Sequence, residues 1–203
     1  MGNTLTIFDL DNTLIQGDSS TVWSQFMVRE GLATQKGYLA REARLMADYD
    51  RGEMNIADYV ALIQAPLAGI PKSDVDALVA RCVREAILPR VYPQAWELIR
   101  RLRAEGEQML IISASVSLLV QAVAGYSGEI TGIPSYQQGK VARLAQWREA
   151  HPQYDGEVTF YTDSINDLPL CLHADRVRLV NPCPQLQAAG AGYGWPVLSW
   201  RLE

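Results

Sequence analysis

The chain opens on Thr6-Ile7-Phe8-Asp9-Leu10-Asp11-Asn12-Thr13-Leu14, an apolar run that leads straight into two aspartates one residue apart. The design returns twice. Met109-Leu110-Ile111-Ile112 leads into Ser113-Ala114-Ser115, and Val158-Thr159-Phe160-Tyr161-Thr162 leads into Asp163-Ser164-Ile165-Asn166-Asp167. Apolar runs of this length, separated by helical stretches, predict strands buried on both faces of a parallel sheet. Right-handed crossovers then put the strands' carboxyl ends together, so that Asp9, Ser113 and Asp163 share the edge where open α/β folds hold their ligands.

Two carboxylates as close as Asp9 and Asp11 repel unless a cation or a shared proton offsets them, which points to a divalent metal or an acid/base pair. Asp-Asn-Thr is also common turn and helix-capping vocabulary, and on this segment alone that reading stays open. Ser113 and Ser115 are small hydroxyl residues suited to a phosphate oxygen. Gly139-Lys140 opens a helical stretch over 141–147. Cations are not favoured at a helix amino end, so Lys140 there suggests a bound anion; a solvated lysine is the alternative.

About ninety residues separate the first run from the second, far more than a normal βα connection, and they read as almost wholly helical. The helices are expected over 20–30, 35–49, 56–63 and 72–87, with another over 94–105. In the fourth, Val75, Leu78, Val79, Cys82, Val83 and Ile87 recur at helical intervals and are expected to pack inward. Tyr38, Leu45, Met46 and Tyr49 form a stripe that suits either the interior of this insert or the wall of a pocket. Beyond residue 113 the expected order is helix 116–123, helix 140–150, strand 157–161, helix 166–172 and strand 177–180. The fold class is therefore α/β: a Rossmann-like parallel sheet with helices on both faces and an inserted α-helical cap. Residues 1–15 and 90–203 are the expected core and 16–89 the cap.

With 203 residues, 48% of them hydrophobic, the chain can fill a real interior. A net charge of −5 without a basic run argues against a nucleic-acid partner. No apolar run approaches the length of a membrane span, and no leader precedes the first strand. Cys82, Cys171 and Cys183 lack the spacing of a zinc site or a disulfide framework, so a reducing, cytoplasmic setting is expected. His151 and His173 have no ligand partner at useful spacing and read as bystanders.

The ordered set Phe8-Asp9-Leu10-Asp11-Asn12-Thr13-Leu14, Ile112-Ser113-Ala114-Ser115, Gly139-Lys140 and Asp163-Ser164-Ile165-Asn166-Asp167-Leu168-Pro169 resembles the haloacid dehalogenase-like hydrolase superfamily, in its phosphoserine-phosphatase-like branch. The resemblance covers nearly the whole chain. It implies a Mg2+-dependent phosphatase acting on a small phosphorylated metabolite. Asp9 would attack phosphorus and become an aspartyl-phosphate, and Asp11 would serve as acid and then base. Asp9, Asp163 and the main-chain carbonyl of Asp11 would hold the metal, with Asp167 and Asn166 one layer behind them. Ser113, the N–H groups that follow it from Ala114 on, and Lys140 would bind the phosphate. Asp18 falls where phosphoserine phosphatases carry an acid that meets the substrate's amino group, although Gly17-Asp18-Ser19-Ser20 also suits a plain helix cap. The family usually runs through another strand and a hairpin before its lysine. Here Gly125-Tyr126-Ser127-Gly128 leads almost directly to Glu129-Ile130-Thr131-Gly132-Ile133-Pro134, so a trimmed chain or a missing segment is expected. Transfer of the same phosphoryl group to an organic acceptor is an alternative activity. A phospho-acceptor switch or a binding module is the non-enzymatic one.

Overall fold

Leu5–Phe8 form β1, every residue of it buried, because this strand lies in the middle of the sheet with helices over both faces. The computed structural model describes residues 3–51, 53–127, 131–134 and 138–202. After β1 come four helices, α1 (Ser19–Arg29), α2 (Tyr38–Asp50), α3 (Ile56–Gln64) and α4 (Lys72–Cys82), and then α5 (Pro93–Ala104). The remaining order is β2 (Gln108–Ser113), α6 (Ser117–Ser127), β3 (Thr131–Pro134), α7 (Gln138–Ala150), β4 (Val158–Thr162), α8 (Leu168–Cys171), β5 (Arg176–Val180), α9 (Pro184–Ala191) and β6 (Val197–Leu198).

The strands make one six-stranded sheet in the order β3-β2-β1-β4-β5-β6, with every pairing parallel. The chain builds outward from β1 through β2 to β3, then crosses to the other side of β1 for β4. That reversal is the switch point beside which ligands bind in such sheets. The register sets their relative height: Phe8, the last residue of β1, pairs with Ile111 on one side and Tyr161 on the other, while β2 runs on to Ser113 and β4 to Thr162.

Alternation along the strands divides the core in two. Phe8, Met109, Ile111 and Tyr161 face the side packed by α1 to α6. Leu5, Ile7, Leu110, Ile112 and Phe160 face the other side, against Leu144 and Trp147 of α7, Leu170 of α8 and Leu186 of α9.

Three local expectations change. The second helix begins at Tyr38, not near residue 35, because Gly37 takes φ +79° and turns the chain just before it. The 72–87 helix is regular only to Cys82 and widens into a π turn over Val83–Ile87, after which a short 3-10 turn carries Pro89, whose missing N–H cannot extend the helix. Its inward face is as expected: Val79, Cys82, Val83 and Ile87 are buried, with Val75 and Leu78 packed against them. Finally, the stretch after Ala124 does hold a strand, since β3 pairs with β2 at the sheet edge; the segments on either side of it, 128–130 and 135–137, lie outside the described residues.

All three cysteines are free, Cys82 and Cys171 buried and Cys183 half-buried. His151 and His173 each bond a carbonyl one turn back, Trp147 O at 2.8 Å and Pro169 O at 2.9 Å. No helix among the described residues is long and apolar enough to cross a membrane.

Candidate active site

β1 stops at Phe8, and a tight loop redirects the chain before α1. Leu14 N–H donates to Leu10 O at 2.9 Å. Asn12 adopts φ +53°, a left-handed conformation that asparagine tolerates better than most side chains, and its Oδ1 accepts from Gly17 N at 3.1 Å. This turn takes Asp11 out of the strand's alternation and aims it at the start of α1, where its Oδ1 accepts from Ser19 N at 2.6 Å.

Asp9 remains at the strand end, buried, its own N–H bonded to Tyr161 O at 2.9 Å. Its Oδ1 lies 2.9 Å from Lys140 Nζ. The same ammonium lies 2.6 Å from Asp167 Oδ1, while Asp167 Oδ2 accepts from Thr162 Oγ1 at 2.6 Å. The solvated-lysine alternative for Lys140 is thereby removed, since only 1% of the residue is exposed. Burial opposes its charge, but the Asp167 and Asp9 carboxylates reverse that and hold it above the usual lysine value. One ammonium does not offset both acids, so burial still raises Asp167 to about 6.

Asp163 directly follows the last residue of β4, half-buried, and accepts from Thr13 Oγ1 at 3.2 Å. Ser113 ends β2, and its Oγ accepts from Ser115 N at 3.2 Å. A cavity of about 240 Å³ opens between these groups and the helices that follow β1. Asp9, Asp11, Asp18, Ser113, Ala114 and Asp163 all line it. Lys140 and Asp167 stand behind that wall, and Asn166 lies outside it, its N–H donating to Ser164 Oγ at 3.2 Å.

Asp18 has two neighbours of different kinds. It is the N-cap of α1, accepting from Thr21 N at 2.7 Å, and it also faces the cavity. The aromatic and methionine stripe splits: Tyr38 is buried and Leu45 packs against the core, whereas Met46 and Tyr49 line the cavity.

Several residues that close the site have partners that the sequence does not show. Ser115 Oγ donates to Asp11 Oδ2 and accepts from Ser19 Oγ at 2.9 Å, which fixes the Asp11 carboxyl between two segments far apart in the chain. Tyr59 of α3, and Ser20 and Thr21 of α1, complete the opposite wall. Behind Thr21, buried Glu42 accepts from its Oγ1 at 2.6 Å. Only the lengths of the helical insert hinted that its residues would reach this far.

Burial raises Asp11 to about 8, and the charges of Asp18 and Asp9 add to it, so this carboxyl holds a proton near neutrality. Burial also lifts Asp163 well above the usual carboxylate value, helped by Asp9 and Asp167. Asp9, Asp11, Asp163 and Asp167 thus gather around a single buried cation, Lys140, which pairs with only Asp9 and Asp167. The excess negative charge and the hard oxygen donors of Asp9 and Asp163 fit a magnesium ion. Among the described residues no three His, Cys, Asp or Glu side chains form a ready ligand cluster. The expected set requires only two carboxylates and a main-chain carbonyl, which is compatible with that.

The family model for haloacid dehalogenase-like hydrolases matches residues 6–171. The chain is 31% identical to a histidinol-phosphatase of Neisseria meningitidis, with 97% of this chain and 99% of that protein aligned. Its fold superposes on a protein of unknown function from Bordetella pertussis with a TM-score of 0.85, at 28% identity and covering 98% and 99% of the two chains. A substrate-bound phosphoserine phosphatase, 14% identical, shares the fold with a TM-score of 0.64 over 93% of this chain and 90% of that one. A family match spanning all three strand-end motifs, on a sheet that gathers them at one edge, makes this chain a member of the haloacid dehalogenase-like hydrolase family and a phosphoric monoester hydrolase.

Proposed function

We propose that the protein is a magnesium-dependent phosphatase that hydrolyses a small phosphomonoester through an aspartyl-phosphate on Asp9. The observation that carries this reading is the setting of Asp9, which faces the cavity while Lys140 holds its Oδ1 from behind at 2.9 Å. One oxygen is thus anchored and the carboxylate is oriented for attack.

In the first displacement Asp9 forms a bond to phosphorus as the ester oxygen departs, and Asp11 gives that oxygen its proton. In the second, Asp11 takes a proton from the water that attacks the acyl phosphate, which releases inorganic phosphate and restores Asp9. The Ser113 hydroxyl and the Ala114 N–H would hold the non-bridging oxygens, near the amino end of α6. Asp9 and Asp163, with the Asp11 carbonyl, would hold magnesium, which supplies positive charge against the repulsion between carboxylate and phosphate. Residues 16–89 act as a cap whose closure excludes bulk water from the reacting phosphate. A cytoplasmic setting is part of this reading, supported by the three free cysteines.

The test is turnover of 4-nitrophenyl phosphate with and without magnesium, followed by acid quench in the presence of labelled substrate. Magnesium-dependent release and a hydroxylamine-sensitive label on the wild-type protein, absent from Asp9→Asn, are expected. Release without any such label would overturn the covalent route, and formation of a new phosphate ester with added alcohols in place of free phosphate would reassign the enzyme as a phosphotransferase.

A further inference from the structure

The buried cation of the site, Lys140, pairs with Asp9 and Asp167 and leaves Asp11 to neutral donors. These come from two opposite segments. Ser19 N–H, at the start of α1, donates to Asp11 Oδ1 at 2.6 Å, and the Ser115 hydroxyl, in the loop after β2, donates to Oδ2. Both carboxyl oxygens are thereby held, and the group cannot turn about its own axis without breaking one of the two bonds.

Ser115 lines the cavity, but its hydroxyl has no capacity left for a phosphate. A serine hydroxyl offers one proton and two lone pairs. The proton goes to Asp11 Oδ2, and the lone pairs meet the Ser19 hydroxyl at 2.9 Å and the Ser113 hydroxyl at 3.3 Å. Ser115 is 5% exposed and Ser19 fully buried, so water does not compete for these bonds. Ser113 differs. Its Oγ accepts from Ser115 N at 3.2 Å, and its own proton has only the long contact to Ser115 Oγ, which a phosphate oxygen can replace. Two hydroxyls two positions apart thus do different work.

We infer that Ser115, backed by Ser19, is a positioning residue for Asp11, holding its carboxyl where it can protonate the departing ester oxygen, and is not a phosphate ligand. The inference rests on the phosphatase reading above. In that step the bond from Asp9 to phosphorus forms as the bond from phosphorus to the ester oxygen breaks. The electron pair stays on the ester oxygen, which takes the Asp11 proton. Without the Ser115 hydroxyl the carboxyl keeps only the bond from Ser19 N–H and swings about it, and a displacement of about 1 Å costs on the order of 100-fold in rate. The cost depends on the leaving group: a stabilised phenolate departs without a proton, whereas an alkoxide needs one.

The experiment measures kcat/KM with magnesium for 4-nitrophenyl, phenyl and benzyl phosphate, three esters of similar size whose leaving oxygens rise in basicity. This constant covers events only up to departure of the alcohol, so the later work of Asp11 on water does not enter. In Ser115→Ala the ratio of 4-nitrophenyl to benzyl phosphate is expected at least tenfold above the wild-type ratio. Ser19→Ala, which keeps the N–H bond to Asp11, is expected to raise it severalfold. The double variant is expected to match Ser115→Ala, because the Ser19 hydroxyl acts through Ser115. Each ratio is taken within one protein preparation, so a partly folded variant does not blur it. An equal loss on all three esters would make Ser115 a phosphate ligand or a purely structural residue and overturn the inference, as would an unchanged ratio or fully additive effects of the two substitutions. Those outcomes leave the phosphatase reading standing; no turnover of any of the three esters by the wild type overturns that reading and this one with it.

Discussion

Lys140 Nζ lies 2.6 Å from Asp167 Oδ1, and only 1% of either residue is exposed. The pair joins the amino end of α7 to the turn after β4, and the same ammonium reaches Asp9 at the end of β1. One side chain therefore serves both the fold and the carboxylate that would attack phosphorus.

For Lys140→Met we expect two separable losses. Removing one partner of a buried pair leaves Asp167 uncompensated, at a cost of about 3–5 kcal/mol in stability. Turnover should fall on the order of 10²–10³-fold, as when one preorganised charge is deleted. Adding Asp167→Asn should recover much of the stability but none of the turnover. Urea unfolding and phosphate release on the three proteins check this, and recovery of both properties together would make Lys140 a purely structural residue.

Asp9→Asn should abolish turnover while leaving the thermal unfolding temperature close to the wild type, because the amide matches the carboxylate in shape but is a poor nucleophile. Beryllofluoride with magnesium should raise the unfolding temperature of the wild type, by binding only the folded protein, and leave Asp9→Asn unchanged. An equal rise in both proteins would place the adduct elsewhere.

What the sequence made legible was the set of strand ends. Asp9, Ser113 and Asp163 follow apolar runs long enough to be recognised, and parallel topology brings such ends together whatever the intervening chain does. The elements that escaped notice lack that signal. β3 contains Gly132 and Pro134, β6 is two residues long, and α9 starts on Pro184 with little apolar periodicity. In the site, Ser115 was legible as a hydroxyl suited to phosphate and Ser19 as part of a helix cap, but not as partners of Asp11 and of each other, and Tyr59 and Glu42 gave no signal. Their roles exist only across contacts between distant segments, as in the bond from Ser19 Oγ to Ser115 Oγ, 96 positions apart. Lys140 shows the limit of local reasoning most clearly: its position on a helix suggested an anion, but its burial against two aspartates is a property of the tertiary fold.

Asp163→Asn should raise the magnesium concentration needed for half-maximal turnover by tenfold or more, since a charged oxygen donor becomes a neutral one. Without magnesium the variant should be no less stable than the wild type, because burial and the neighbouring Asp9 and Asp167 already disfavour the Asp163 charge. A magnesium titration of activity and a melting curve in chelator give the two readings. An unchanged half-saturation point would remove Asp163 from the metal site.

Gly190 of α9 leaves no room for a side chain. A Cβ there would lie 2.7 Å from Leu179 Cδ1 of β5 and 3.0 Å from Trp195 Cε3. Gly190→Ala should therefore destabilise the protein by about 1–3 kcal/mol through overpacking, despite alanine's better helix propensity. A urea midpoint at or above the wild-type value would mean that this helix shifts freely on the sheet.

Asp18→Asn should stabilise the protein at neutral pH and not in acid. The folded-state value of Asp18 is raised to about 6, chiefly by burial, from an ordinary 3.8. Between those values the unfolded chain has released the proton while the folded chain keeps it. The folded state therefore binds more protons, and stability declines as the pH rises through this window. Below pH 4 both states are protonated and the effect vanishes; above pH 6 it is complete. Asparagine retains the bond from Thr21 N and caps a helix about as well as aspartate, but carries no charge to bury. The gain at pH 7.5 should be about 1 kcal/mol, allowing for partial solvent screening of this half-buried group. Urea unfolding of the two proteins at pH 4.5 and 7.5 reads this effect together with the relief it gives Asp11, whose proton affinity the Asp18 charge also raises. A variant less stable than the wild type at pH 7.5 would show that the Asp18 charge is already compensated inside the fold.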